Sequence, residues 1–210
     1  MKIRAPAKVN LFLRVLGRRP DGYHLLDTFI VPVSLYDVIE IRRVPAKRQQ
    51  PANARITIDC DDPAVPAGEE NLAYRAAQLL LKQVDRPTGI HIHIQKRIPL
   101  GAGLGGGSTD AAATLLGLNR LFKLNISAAR LERLALRLGA DVPFFIRARP
   151  ARAYGIGERL RPVRELVHFW LVIIYPGFPV GTAWVYNKLP KKLTKPTPGN
   201  SIATYLKRFD

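Results

Sequence analysis

Between an alternating apolar stretch and a segment rich in Ala and Leu, the chain runs through Pro99, Leu100, Gly101, Ala102, Gly103, Leu104, Gly105, Gly106, Gly107, Ser108 and Thr109. Glycines at these positions let the backbone take φ > 0 and come close to a ligand, and the N–H groups of a helix starting there have no partner of their own. Together they form a cradle for an anion such as phosphate. Three phosphate-binding schemes compete. Gly101, Gly103 and Gly106 formally fit the dinucleotide fingerprint, but that scheme wants a buried parallel strand before it and an acid about 20 positions on. Here Ile90, Ile92 and Ile94 alternate with His91 and His93, as on one face of an antiparallel sheet, and the first acid after Asp110 is Glu132. A Walker loop needs lysine before its Ser or Thr, and Gly107 stands there instead. A third kind of phosphate loop remains. His91 and His93 share a strand face, but no third metal ligand accompanies them in the sequence, so both read as side chains in water.

The elements that must hold this loop follow from periodicity. Val9, Leu11, Leu13 and Val15 alternate with Asn10, Phe12 and Arg14, which predicts a half-buried strand, and Asp21 and Gly22 supply the turn after it. Segments 25–33 and 38–43 predict two further strands, with Pro32 marking an edge or bulge. A short strand is expected around Ile56 and Ile58 between two polar, proline-bearing loops. Leu72, Ala76, Leu79 and Leu80 have helical spacing, with Asn71 as N-cap and Pro87 beyond the end. Helices are expected at 108–122 and 127–138, the second closed by Gly139 as the residue past its C-cap. The run Phe169–Tyr175 reads as a buried strand, 182–189 as a short helix, and Asn200 and Ser201 as a cap for a last turn.

Composition narrows the class. The chain has 210 residues, 47% of them hydrophobic and 23% charged, which is globular and argues against disorder or a coiled coil. The longest apolar run has seven residues, far below the roughly 20 of a membrane span, so no membrane partner is expected. Lys2, Arg4, Lys8 and Arg14 leave no apolar core for a signal peptide, and the lone Cys60 suits a reducing compartment, so the cytoplasm is expected. A net charge of +17 favours anionic partners such as phosphorylated metabolites, nucleotides or nucleic acid, yet the basic residues are spread along the chain as on a solvated surface.

The glycine run resembles the ATP-phosphate loop of the GHMP kinases. Its triple glycine before Ser108, together with Ala5 to Leu11 (APAKVNL), Asp21 to His24 (DGYH) and Gly139 to Pro143 (GADVP), resembles more narrowly the 4-diphosphocytidyl-2-C-methyl-D-erythritol kinase family. The resemblance implies an α+β fold: an N-terminal ribosomal-S5-like domain over 1–153 that binds ATP, then an incomplete ferredoxin-like domain over 154–210. It implies ATP-dependent phosphorylation of a cytidine-diphosphate-linked methylerythritol at its 2-hydroxyl in non-mevalonate isoprenoid biosynthesis, with ATP and Mg²⁺ as cofactors.

By the same resemblance Asp141 is the base that takes the hydroxyl proton, with Lys8 beside it and beside the transferring phosphoryl; spacing alone reads instead as a structural ion pair or, for Asp141, a turn after the Gly139 C-cap. ATP would lie on Pro99, Gly101, Gly103, Leu104, Gly105, Gly106, Gly107, Ser108 and Thr109. Asn71 and Lys96 fall where the family holds adenine, although Asn71 also reads as a helix cap and Lys96 as a solvated charge. Tyr23 and Tyr186 would sandwich the cytosine, His24 would bond its edge, Asn10 would meet the polyol, and Thr182 would contact substrate or cap a helix. Ser108 is the expected protein oxygen for Mg²⁺. Thr109 departs from the family's usual serine or alanine but keeps a hydroxyl. Family members extend further and add a second glycine-rich loop near the substrate phosphates, so the resemblance implies a second domain incomplete at Asp210 and exposed apolar surface after about residue 154. A homodimer is compatible with this reading. Two rivals stay open: a basic nucleic-acid-binding module, though no nucleic acid is expected as a partner, and a fragment that binds ATP without turnover.

Overall fold

The computed structural model describes residues 1–45, 56–84, 88–163, 166, 169–181, 184, 185 and 188. Among these, a six-stranded sheet carries helices on one face. In chain order the elements are β1 (Lys2–Arg18), β2 (His24–Val44), β3 (Ile56–Cys60), α1 (Leu72–Leu81), β4 (Gly89–Gln95), α2 (Gly106–Leu121), α3 (Ala128–Leu136), α4 (Val142–Arg147), β5 (Ala151–Gly155) and β6 (Arg159–Pro162). The sheet order is β3-β4-β2-β5-β6, with β1 lying along β2. The architecture is mixed α+β, as expected.

The two strands anticipated over 25–33 and 38–43 are one strand, β2, antiparallel to β1 along its length. Pro32 does sit beside an irregularity: Ala7 pairs with Val33 but Pro6 with Tyr36, so Ser34 and Leu35 bulge out of the ladder. On its other edge β2 pairs with β5 over Leu26–Ile30 and with β4 over Val38–Val44, leaving 31–37 unpaired there. A proline without an N–H is tolerated in that gap. β3 and β4 run parallel across α1, which makes a βαβ unit. The sheet alternates as its sequence does. Ile39, Ile41, Ile90, Ile92 and Ile94 are buried under α1 and α2, while Glu40, Arg42, His91 and His93 lie on the opposite face.

Helix ends also follow local chemistry. Asn71 caps α1 by accepting from the Ala73 N–H at 2.8 Å, and Ser127 caps α3 by accepting from that of Arg130 at 3.4 Å. The buried face of α1 is turned from the expected one, with Ala73, Tyr74, Ala77 and Leu81 joining Ala76 and Leu80 inside and Leu79 only half-buried. Gly139 is not left-handed; the Arg137 cap is αR and the turn closes by the Gly139 N–H donating to Ala135 O at 3.3 Å. The 153/154 division expected between domains falls inside β5, and β6 extends the same sheet.

The largest difference lies at Phe169–Tyr175. The expected buried strand carries no regular structure and no ladder partner among the described residues; Trp170 is 99% and Ile174 86% exposed. Apolar character alone does not make a strand when nothing pairs with it. The exposed apolar surface anticipated beyond residue 154 is present here. Most of 182–189 and all of 189–210 lie outside the described residues, as do Pro87, Thr182, Tyr186, Asn200 and Ser201.

Candidate active site

The glycine loop leaves β4 and enters α2, which begins at Gly106, two residues earlier than its sequence periodicity suggests. Gly105 is the N-cap residue in the left-handed region (φ +75), and no side chain caps the helix, so its first N–H groups stay free for an external acceptor. A Cβ on Gly105 would lie 2.7 Å from the Phe145 ring and 3.1 Å from Lys8 Cγ. The loop is therefore pressed against α4 on one side and β1 on the other, and the Lys8 N–H donates to Leu104 O at 2.9 Å. Gly103 has nothing within 4 Å of its Cβ direction, so this part of the cradle is open.

Lys8 and Asp141 meet. Lys8 rises from β1 and Asp141 stands at the N-cap of α4, where its side chain makes no capping bond. The carboxylate remains available, 40% exposed, with Lys8 Nζ at 3.4 Å. That ammonium is aimed by a chain of hydrogen bonds: Lys8 Nζ donates to Asn10 Oδ1 at 2.7 Å, Asn10 Nδ2 to Thr28 Oγ1 at 2.7 Å, and the Thr28 hydroxyl to Phe12 O at 2.5 Å. On its far side Asp141 faces the β5–β6 turn, where a Cβ on Gly157 would sit 3.8 Å from Oδ1. A positively charged group thus lies between the phosphate cradle and a partly exposed carboxylate that makes no capping bond. This arrangement suits transfer of a phosphoryl group to a hydroxyl whose proton the carboxylate accepts.

Lys96 is not a solvated charge. Its side chain is buried behind the loop, with Nζ 2.5 Å from Asp37 Oδ2 and 2.9 Å from Asp110 Oδ2. A Cβ on Gly106 would lie 2.8 Å from that ammonium. Asp37 also accepts from the Arg97 and Ile98 N–H groups at 2.6 and 2.8 Å, which fixes the exit from β4. Burial works against the Lys96 charge, but the two carboxylates outweigh it and raise its pKa. Burial pushes the Asp110 carboxyl up to about 7, with Lys96 opposing and Asp37 adding to the rise. One Asp110 oxygen and the neighbouring Thr109 hydroxyl are buried without a hydrogen-bond partner among the described residues.

The other candidates spread over three places. Asn71 is buried and committed as a cap, its Nδ2 donating to Pro66 O at 2.8 Å. Ser108 stands half-exposed in the first turn of α2. Tyr23 is 58% exposed at the tip of the β1–β2 hairpin, its N–H donating to Asp21 Oδ1, and His24 opens β2 beside it. The residues missing from the sequence reading are Thr28, Asp37 and Asp110, together with Asp27, which holds Arg152 in a two-bond fork at 2.8 and 2.7 Å. None carried a local signal except Asp110, which directly follows the glycine loop. His91 and His93 find a neighbour in Asp59 on β3, with His91 Nε2 3.3 Å from Asp59 Oδ2. Among the described residues no group of three or more His, Cys, Asp or Glu is arranged to hold a metal ion.

Residues 71–149 match the family "GHMP kinases N terminal domain". The 4-diphosphocytidyl-2-C-methyl-D-erythritol kinase of Syntrophus aciditrophicus (strain SB) is 48% identical over 210 residues, which are all of this chain and 72% of that relative. The enzyme of the same name from Citrifermentans bemidjiense is 48% identical over 202 residues, covering 96% of this chain and 69% of the relative. A crystal structure of 4-(cytidine 5'-diphospho)-2C-methyl-D-erythritol kinase superposes with a TM-score of 0.74 at 41% identity, covering 100% of this chain and 72% of that one. Homoserine kinase from Cytophaga hutchinsonii shares the fold alone, with a TM-score of 0.64 at 20% identity over 98% of this chain and 64% of its own. With whole-chain identity at this level and a loop, a lysine and a partly exposed aspartate assembled at one place, the chain belongs to the 4-diphosphocytidyl-2-C-methyl-D-erythritol kinases of the GHMP kinase superfamily.

Proposed function

We propose that this chain binds ATP on the loop 99–109 and transfers its γ-phosphoryl group to the 2-hydroxyl of 4-diphosphocytidyl-2-C-methyl-D-erythritol, a step of non-mevalonate isoprenoid precursor biosynthesis. The observation that carries this reading is the Lys8–Asp141 contact of 3.4 Å at the edge of Gly105. Phosphoryl transfer asks the protein chiefly for alignment and charge neutralisation, with a group to orient the nucleophile and receive its proton. The free N–H groups opening α2 hold the phosphates. Lys8, steered by Asn10 and Thr28, neutralises charge gathering on the transferring group. Asp141 orients the 2-hydroxyl and accepts its proton as the oxygen–phosphorus bond forms and the bond to ADP breaks. Tyr23 and His24, with Tyr186 beyond the described residues, receive the cytidine end, and Thr182, also beyond them, contacts the substrate. Asn71 and Lys96 border the nucleotide side, and Lys96 acts by shaping the start of α2.

The half-exposed Ser108 hydroxyl stands in the first turn of α2, where the phosphates would lie, and this fits Mg²⁺, which prefers hard oxygens and retains several waters and phosphate oxygens when it travels with ATP. Bound there, Mg²⁺ would shield the phosphate charge; no protein cage is needed. At finer grain we assign the ribosomal-S5-like arrangement to the N-terminal domain, supported by the parallel β3–α1–β4 unit, carry its sheet through β6 to Pro162, and place the start of a ferredoxin-like domain beyond it.

The test is ADP release by the chain with Mg-ATP and the cytidyl substrate, beside Asp141→Asn. Substrate-dependent turnover that falls about 10²–10⁴-fold in the variant supports both reaction and base. Substrate-dependent turnover unchanged in Asp141→Asn removes the base assignment, and a chain that binds neither nucleotide nor substrate removes the reading as a whole.

A further inference from the structure

The loop glycines do not share one reason for being glycine. Gly103 opens to empty space, Gly105 packs on Phe145 and Lys8, and Gly106 packs on Lys96. Gly101 packs on something else: a Cβ there would lie 2.5 Å from Pro179 Cβ and 3.0 Å from Pro179 Cα, at φ +65. Two hydrogen bonds accompany this contact. The Val180 N–H donates to Gly101 O at 3.1 Å and the Tyr175 hydroxyl donates to Leu100 O at 3.2 Å. Three contacts from residues 175–180 therefore converge on two consecutive loop residues. The segment has no strand or helix of its own there, and Ile174 and Phe178 beside the contacts are exposed.

We propose that Tyr175 and Pro179 are positioning residues for the ATP loop, forming a latch that holds its Leu100–Gly101 arm in the conformation that receives the phosphates. The inference rests on the nucleotide reading of the loop. A run with this many glycines loses much backbone freedom when a ligand orders it. Tethering one arm beforehand removes part of that loss, so the latch raises affinity through pre-organisation rather than by touching the nucleotide. Gly101 then serves as the seat of the latch, since a side chain there would expel Pro179.

Mg-ATP titration calorimetry and hydrogen exchange over 175–181, both on the 210-residue chain, provide the test. Tyr175→Phe and Pro179→Gly are expected to weaken ATP binding by about 3- to 10-fold, the size of one hydrogen bond or a comparable ordering effect, with the melting temperature nearly unchanged. ATP slows exchange over 175–181 in the parent chain, and Gly101→Ala accelerates it there even without nucleotide. In a Pro179→Gly background, Gly101→Ala costs less affinity than it does alone, because the Pro179 Cβ that it would meet at 2.5 Å is gone; a purely structural contact would not move ATP affinity at constant melting temperature. Parent binding of ATP with Tyr175→Phe and Pro179→Gly unchanged overturns the latch alone, as does Gly101→Ala with parent-like exchange over 175–181. Absence of ATP binding by the parent chain overturns the latch together with the nucleotide reading.

Discussion

In the proposed reaction Lys8 would neutralise a phosphoryl group only while its four-carbon stem is held, because a free lysine side chain spreads over many rotamers. The bond to Asn10 and the Asn10–Thr28 bond behind it do this holding. Asn10→Ala is therefore expected to lower kcat about 10- to 100-fold, and Thr28→Val less, while Lys8→Ala loses about 10²–10³-fold; steady-state ADP release reads all three. Asp110 poses a different problem at this scale. Its carboxyl is raised to about 7 by burial, so between roughly pH 4 and 7 the folded chain keeps a proton that the unfolded chain has released. Its favourable contribution is complete below the unfolded pKa of about 4 and disappears as pH rises through 7. Urea unfolding should show stability falling across that window, and Asp110→Asn should flatten the fall.

At the scale of elements, the N-terminus of α2 is set by packing rather than by a cap. Gly105→Ala would drive a methyl into Phe145 at 2.7 Å and hold alanine at φ +75, so a loss of about 1–3 kcal/mol is expected in urea unfolding, with α4 as the displaced partner. α1 is the opposite case, because Asn71 supplies its cap directly. Asn71→Ala should destabilise by about 0.5–2 kcal/mol. A fall in ATP affinity at matched stability would separate a nucleotide contact from the cap. The long β2 sets these distances: its ends hold β5 and β4 on one edge, and its middle, paired with β1 alone, carries the bulge opposite Pro6 and Ala7, next to Lys8.

For the whole molecule, helices cover one sheet face and a half-charged face meets water, while Trp170, Val172 and Ile174 add a strip of apolar side chains that lie in water. A strip of this kind promotes association. Trp170→Asp together with Ile174→Asp should reduce light scattering and dye binding without lowering the melting temperature, since both side chains are already in water. A drop in melting temperature would mean that they pack on something in solution.

Spacing alone determined the chemistry on offer and much of the local structure. Asn71 and Ser127 announce helix starts, Ile90, Ile92 and Ile94 announce a one-sided strand, and the glycine run announces a phosphate loop, because caps, pleats and turns involve residues a few positions apart. The meeting of Lys8 with Asp141 entered through resemblance to a family rather than through any local rule. Tertiary structure decided the rest. It joined two expected strands into β2, buried Lys96 between Asp37 and Asp110, chained Lys8 to Thr28, and left Trp170 in water despite its apolar neighbours. Each of these outcomes depends on a partner far away in the chain, or on its absence, and a side chain's environment is a property of the assembled surface that its own neighbours in sequence do not encode.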